Sequence, residues 1–575
     1  MFSVIPFEAF VGQVQAIGKD SVSVTFTVTV PYWTPENDSV FLTGDVLPAD
    51  VSFSEINKVT WTATVDLPVG EMVNYRYTRG TLTSQAMRQI SFPVTASDSA
   101  RYDAVVGWED VSSPVSPRDD YVGMVALVDF PAPFVIDGFW DRDHSGNYSD
   151  LAETYRTIHV RAGLNWVGFP EGAFYAQLLP VPIIVNEDQG MRDLNEAELT
   201  KIAQMAHEQG LKYYVHVGNP GICHQLAEQL GTDNPFQWVP QNITEADTAW
   251  WDEWFDQWGD FIEPKAQVAE ANGIELLCIG AHLDYVDLDC NIPRWRGLID
   301  RIRSVYSGKL IYLSLKFEGP NPAWASQLDY VGAYMGRPIA STNDPTVFEL
   351  MDGISAFVDD VPHAKPVIFF LDFASIDSAA MGAMAPDILE PTAHLCIDFQ
   401  EQADIYEAFF RIMETREQVA GLMSWNYAYD DDYFYYPDTS VYDDTRFTAS
   451  IRNKLAEAVT FKWRHAFDTT ATGVNVSHIE EIPHDLRLFQ NYPNPFNSTT
   501  IIQYQLPHTT FVTLKVYNIL GQEVRILVDE VKQPGIYTLE WDGKNSQGCD
   551  VSAGLYVVRM IGGDFSRSKK MVLLK

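Results

Sequence analysis

Polar and aromatic side chains capable of chemistry fall just after short apolar runs of this sequence. Trp140-Asp141-Arg142-Asp143 follows APFVIDGF, His216-Val217-Gly218-Asn219 ends KYYVHV, and His282 follows ELLCIG, with Asp284, Asp287 and Asp289 just beyond. Lys316-Phe317-Glu318 follows LIYLSL, Tyr334 and Arg337 follow YVGA, and Asp372 follows PVIFFL. Trp425-Asn426-Tyr427 ends GLMSW, ahead of Asp430, Asp431 and Asp432. Two carboxyl groups ~5 Å apart serve double displacement at an acetal carbon, whereas ~6.5–9.5 Å leaves room for an attacking water. Asp372, Asp284 and Glu318 are the carboxyl candidates. His282 joins them as a proton donor or acceptor, because an imidazole titrates near neutrality. Trp140, Tyr334 and Trp425 offer flat faces for stacking, with core packing as the competing reading, and His216 and Asn426 offer hydrogen bonds to a polar ligand. Each of these residues can equally be a structural polar group.

A second pattern is Asp141-Arg142-Asp143-His144-Ser145-Gly146, the D-x-D-x-S-G spacing of a calcium loop. Alternate oxygens from Asp141, Asp143 and Ser145 would wrap a hard cation, and the glycine would permit the sharp turn. Ala152 stands where a bidentate Glu is expected and Glu153 is one residue late, so a solvated acidic loop or a substrate-binding loop stays open. No other cofactor is required.

These residues need a scaffold that gathers strand ends. The apolar runs APFVIDGF, NWVGF, KYYVHV, ELLCIG, LIYLSL, YVGA, PVIFFL and GLMSW alternate with helical patterns, which predicts eight βα units and a (β/α)₈ barrel. Reactive groups in such a barrel sit at the C-terminal ends of the strands. In DLNEAELTKIAQMAHEQG, Asp193 and Glu196 have capping-box spacing and Gly210 closes the helix. Trp250, Trp254 and Trp258 fall at i, i+4 and i+8 of the next helix, a face for packing on the barrel rather than a sugar platform.

The predicted architecture is multi-domain: a central barrel over 119–465, flanked by an N-terminal β-sandwich (1–118) and, after a linker (466–484), a C-terminal immunoglobulin-like β-sandwich (485–575). SVSVTFTVTVPYW alternates apolar and polar residues as a half-buried strand does, and SVFLTG, TWTATVDL and MVNYRYTRG repeat the pattern between turn-formers. STTIIQYQL, FVTLKVYNI, GIYTLEWDG and GLYVVRMI do the same near the C-terminus. The 575 residues exceed what one core supports. The net charge of -39 and pI near 4.5 disfavour nucleic acid and anionic membranes as partners but suit a neutral polysaccharide or oligosaccharide. No apolar run is long enough to span a membrane. MFSVIPFEAF lacks the basic start and cleavage pattern of a signal peptide, so any such segment is expected upstream or already removed. The five cysteines form no CxxC; Cys278 reads as a buried thiol, and a Cys278–Cys290 bond is open.

Three resemblances add to this. FQNYPNPFNSTTIIQYQLP, VYNILGQEVRILVDE, GIYTLEWDGKNSQG and SAGLYVVRM resemble the C-terminal sorting domain of type IX secretion substrates. That resemblance implies a secreted or cell-surface protein with the secretion machinery as partner. VTFTVTVPYWTPENDSVFLTGD and LPVGEMVNYRYTRG resemble starch-binding modules of the family 20 type. Leu82 stands where those modules carry a stacking indole, so weak α-glucan binding is implied. LNEAELTKIAQMAHEQGLKYYVHV, WWDEWFDQWGDFIEPKAQVAEANGIELLCIGAHL, WRGLIDRIRSVYSGKLIY and KPVIFFLDFAS resemble clan A glycoside hydrolases, nearest the family 113 β-mannanase-like group. The resemblance implies an acid/base Glu ending strand four and a nucleophile Glu ending strand seven. Here those positions hold His282 and Asp372. The implied activity is O-glycosyl hydrolysis of a neutral polysaccharide. The alternatives are a glycan-binding barrel that has lost the Glu pair, and a surface structural or adhesion protein.

Overall fold

The computed structural model describes residues 21–126, 149–314, 324–382, 397–427, 449–467 and 487–574, save for short breaks inside these spans. Two compact units emerge, one holding nearly all of residues 1–473 and the other residues 474–575 with the short segments Gly70–Met72 and Ser91–Pro93.

The first unit opens with a β-sandwich. The alternation in Ser21–Thr29 puts Val24, Phe26 and Val28 on one face, all fully buried. This strand lies in a four-stranded sheet between Thr60–Pro68 and Ala100–Ala104; Phe41–Gly44 and Met72–Thr78 are the middle strands of the facing sheet.

Eight parallel strands then close into a barrel. They are Val122–Ala126, Trp166–Gly168, Lys212–Val217, Leu276–Ala281, Lys309–Ser314, Tyr330–Met335, Val367–Leu371 and Val419–Trp425. Strand one pairs with both strand eight and strand two, and strand two with strand three, which completes the ring. One strand of the sequence reading needs correcting. APFVIDGF was expected to be strand one, but the position between strands eight and two is held by Val122–Ala126. Both runs are short and apolar, so periodicity could not rank them. APFVIDGF, Trp140 and Asp141 lie outside the described residues.

Side chains alternate along each strand, so every second residue fills the barrel interior. Met124, Trp166, Tyr214, Cys278, Ile311 and Met423 pack there, with the Tyr214 hydroxyl 3.1 Å from Met423 Sδ. Stepping two residues further carries the series to the mouth: Tyr214 to His216, Tyr330 through Gly332 to Tyr334, Ile368 through Phe370 to Asp372. A Cβ at Gly332 would meet Leu313 Cδ2 at 1.9 Å, so any larger residue there must displace that leucine.

The surrounding helices confirm most of the expected signals. Trp250, Trp254 and Trp258 are buried on the helix Thr248–Asn272, and the rings of Trp254 and Trp258 stack at 5.3 Å. The capping box of Glu196–Glu208 is Asn195 with Glu198, two residues beyond the expected Asp193–Glu196 pair. The signal was right in kind, but two acceptor-plus-Glu pairs of the same spacing overlap there. Gly210 takes φ +77° just after the helix end, as a closing glycine does. Cys278 is a buried free thiol pushed up to about 12 by desolvation, and neither it nor Cys290 is in a disulfide. Cys396 and Cys549 lie outside the described residues.

The sandwich is fixed to the barrel's last two helices, Phe399–Thr415 and Leu455–Phe467. Glu407, fully buried, accepts from Lys462 Nζ at 2.6 Å, Trp463 Nε1 at 2.8 Å and Arg411 Nε at 3.0 Å. Lys462 also donates to the carbonyl of Val30 at the end of the first sandwich strand, and Asn57 donates to Asp404. Tyr32 stacks on Trp463 at 5.6 Å and donates to Glu414. The N-terminal region is therefore built onto the barrel, not carried on a tether. Its junction includes Asp404, a carboxyl pushed up to about 7 by burial.

The second unit is a two-sheet sandwich. One sheet orders Arg487–Leu488, Thr500–Leu506 and Gly535–Trp541; the other orders Phe496–Asn497, Phe565–Leu574, Gly554–Gly562, Thr510–Asn518 and Glu523–Lys532. Trp541, Val512, Leu514, Val558 and Met560 form its core.

Candidate active site

The mouth of the barrel brings together His216 from strand three, His282 just after strand four, Tyr334 from strand six and Asp372 just after strand seven. The Tyr334 hydroxyl donates to Asp372 Oδ2 at 2.9 Å. The His282 ring stands edge-on to Tyr334 and to Phe370, with centroids 6.3 and 6.4 Å away. His282, Leu313, Ser314, Tyr334 and Phe370 line a narrow pocket.

His282 reaches this position through an irregular backbone. The ladder between strands four and five shifts register between Cys278 and Ala281, and His282 then takes φ +60° while its N–H donates to Leu313 O at 3.0 Å. A bulge re-aims the next side chain, and a left-handed histidine costs free energy that the surrounding packing must hold in place. Such strain concentrates at functional sites.

Burial sets the electrostatics. Asp372 is largely buried, and desolvation holds its carboxyl above the usual aspartate range; the Tyr334 hydrogen bond opposes the shift. Tyr334 is in turn pushed upward by burial and by the Asp372 charge. Tyr406, from the helix Phe399–Thr415, donates to Ser424 Oγ at 2.8 Å and feels the charge of Asp372. Nothing in the sequence marked Tyr406 as a neighbour of Asp372, because it sits on an outer helix at a position that reads as ordinary core.

His216 is pushed down to about 3, first by burial and then by the nearby His282. It is therefore neutral at working pH. The unfolded chain takes up a proton near pH 6.5, while the native His216 stays neutral until about pH 3. The unfolded state thus binds more protons in this window, and stability must fall as pH falls through it. His216→Gln should flatten the stability–pH curve between these limits by up to ~1.4 kcal/mol per pH unit, the value of one proton. Denaturant melts at stepped pH check this; parallel curves for parent and variant would show that His216 is not held neutral.

The other expected residues divide plainly. Trp425 is the last residue of strand eight and pairs with Ala126. Asp287 accepts from the Tyr312 hydroxyl at 2.9 Å, a structural role. Asp284, Glu318, Trp140, Asn426 and the calcium-loop residues Asp141, Asp143 and Ser145 lie outside the described residues. Glu171, after strand two, was not singled out; its backbone pairs with Val217 at the end of strand three, and its carboxylate is buried against Lys265 Nζ at 2.6 Å, which ties it to the helix layer. Among the described residues, Asp377, Asp398 and Glu401 gather ligand oxygens within 4.8 Å. Two of the three already serve the backbone: Glu401 accepts from Ser378 and Ala380 N–H, and Asp398 caps the helix at Glu401.

The arrangement can place a carboxyl and an imidazole around one bond, with a phenol holding the carboxyl. Comparison with known proteins bears on which bond. The model of Glycoside Hydrolase Family 113 matches residues 161–449, just over half of the chain. The chain belongs to glycoside hydrolase family 113. Membership makes the barrel a glycosidase domain by descent. The FlgD Ig-like domain model matches residues 495–563 of the second unit. Among solved structures, the chain is similar to a family 113 β-1,4-mannanase in complex form, with TM-score 0.43 and 21% identity over 60% of this chain and 97% of that one. It is also similar to the family 113 β-mannanase of Alicyclobacillus acidocaldarius in complex with ManMIm, with TM-score 0.43 and 20% identity over 62% and 100% of the two chains. No protein of curated function matches the sequence.

Proposed function

We propose that this family 113 protein is a secreted glycosidase that hydrolyses a β-linked neutral polysaccharide, mannan first, at the barrel mouth. The observation that carries the reading is the Asp372 carboxylate held by Tyr334 with the His282 ring against the same tyrosine. In this reading His282 protonates the leaving oxygen. The glycosidic C–O bond breaks, its electron pair passes to that oxygen, and the imidazolium proton neutralises it. Asp372 is one methylene shorter than the glutamate the resemblance implies, which favours a water between carboxylate and anomeric carbon. Asp372 then takes the water's proton as its oxygen bonds that carbon, the inverting arrangement. Asp284 and Glu318 are the alternative second carboxyls.

A reducing-sugar screen over mannan, glucans, xylan and starch tests the substrate class. Release from mannan or another β-linked polymer is expected and none from starch; release from starch alone would overturn the assignment. One observation favours a second reading, a glycan-binding barrel without turnover: neither position of the implied Glu pair holds a glutamate.

The sorting-domain resemblance of the second unit supports export and a secreted or surface location. Deleting 488–575 removes most of the second compact unit and none of the barrel's strands or helices. The truncated protein should fold but remain in the periplasm of a type IX-competent host; normal export would end the idea.

A further inference from the structure

The strand Glu523–Lys532 ends its sheet: it pairs with Thr510–Asn518 on one side and, among the described residues, with no strand on the other. Long edge strands invite pairing with another chain, and proteins blunt them with charges and bulges. This one has two register shifts and several charges, yet Ile526 and Val531 are 43% and 60% exposed, and Phe511 opposite Val531 is 53% exposed.

The charges have a further property. The strand reads Glu-Val-Arg-Ile-Leu-Val-Asp-Glu-Val-Lys. Laid antiparallel against a copy of itself, with the axis between Leu527 and Val528, it sets Arg525 opposite Glu530, a charge pair that occurs twice about the axis. Opposed residues in an antiparallel pair must share a face. The observed ladder satisfies this at the centre. Arg525 and Glu530 pair with Val516 and Val512, both on the buried face, whereas Ile526 and Asp529 pair with Lys515 and Thr513 on the other. The Val524 carbonyl already accepts from Ser546 N–H at 3.0 Å, so a ladder would centre on residues 525–530. Arg525 pairs with Asp542, and Lys532 lies 2.8 Å from Glu530, but these side chains are partly solvent-exposed and open to sharing.

Charge also favours this end of the chain for self-contact. Residues 487–575 contain ten Lys and Arg against seven Asp and Glu, +3, so the remainder carries -42 of the total -39. Net charge therefore opposes contact between copies through the rest of the chain and does not oppose it here.

We propose that the protein self-associates through Glu523–Lys532, two copies pairing edge to edge about a two-fold axis. Such isologous contacts are the commonest in homo-oligomers.

Sedimentation velocity of the full chain across a concentration series tests this at ~0.15 M salt, where the ~8 Å Debye length screens the acidic bodies. A concentration-dependent monomer–dimer equilibrium is expected. Glu530→Arg sets two arginines opposite one another and should weaken association at least tenfold. Adding Arg525→Glu recreates the opposite-charge pair and should return association to within about threefold of the parent, a cycle that isolates the pair. Glu530 is exposed, and melting curves verify that each variant is folded. A parent monomeric at every concentration, a Glu530→Arg variant that associates like the parent, or a double variant without recovery would each overturn the proposal.

Discussion

Asp372→Asn should lower kcat at least ~10²-fold, the lower end for loss of an acid–base group, while melting no lower than the parent. Asparagine keeps the shape and can still accept from Tyr334 through Oδ1. What it removes is a charge in a desolvated site. The sign of the stability change follows from the raised carboxyl. A group whose native affinity for its proton is raised stabilises the fold below the unfolded pKa, and that contribution is lost as pH rises through the native value. Above the native value the parent has therefore lost it, whereas the asparagine variant carries no buried charge to disfavour the native state. The same shift makes the acid limb of the parent's rate profile lie above that of an ordinary aspartate. Unimpaired turnover by Asp372→Asn would remove Asp372 from the chemistry and direct attention to Asp284 and Glu318.

Glu407→Ala should destabilise the first unit by about 3–5 kcal/mol, the cost of leaving buried charge unpaired. Lys462 and Arg411 both lose their carboxylate, and Trp463 loses its acceptor. Because Lys462 also holds the Val30 carbonyl, the loss falls on the joint between sandwich and barrel. Calorimetry should show the first unit's transition falling by roughly 3–5 °C, since ~2.1 cal/mol/K per residue over a unit of about 470 residues gives ~1 °C per kcal/mol, with that of the second unit unmoved. A fall of only a degree or two would mean that water or a neighbouring carboxylate replaces Glu407.

The fold was legible in the sequence where period and breakers agreed. The Ser21–Thr29 alternation, the Trp250–Trp254–Trp258 face and Gly210 each carried one physical meaning, and each is present in the structure. Strand one was misplaced because two short apolar runs adjoin and only closure with strands eight and two ranks them. The capping box slid by two residues because the polar residues before the helix repeat the same spacing. At the candidate site, reading the C-terminal ends of the strands brought out His216, Tyr334 and Asp372, and the structure has all three at the mouth, where each continues an interior series. Three features were not legible. The left-handed turn at His282 arises from a bulge, Tyr406 approaches from another layer, and the weld at Glu407 joins residues far apart in the chain. All three depend on tertiary contacts that no local pattern encodes.

The central claim is that the mouth of this barrel cleaves a glycosidic bond with Asp372 and His282, rather than only holding a glycan. The most direct measurement is reducing-end release from β-1,4-linked manno-oligosaccharides, run beside calorimetric binding of the same sugars by the parent protein. New reducing ends that accumulate with time, and stop when both Asp372 and His282 are replaced, are the expected result. Saturable binding with no new reducing ends across the pH range would contradict it and leave a glycan-binding barrel in its place.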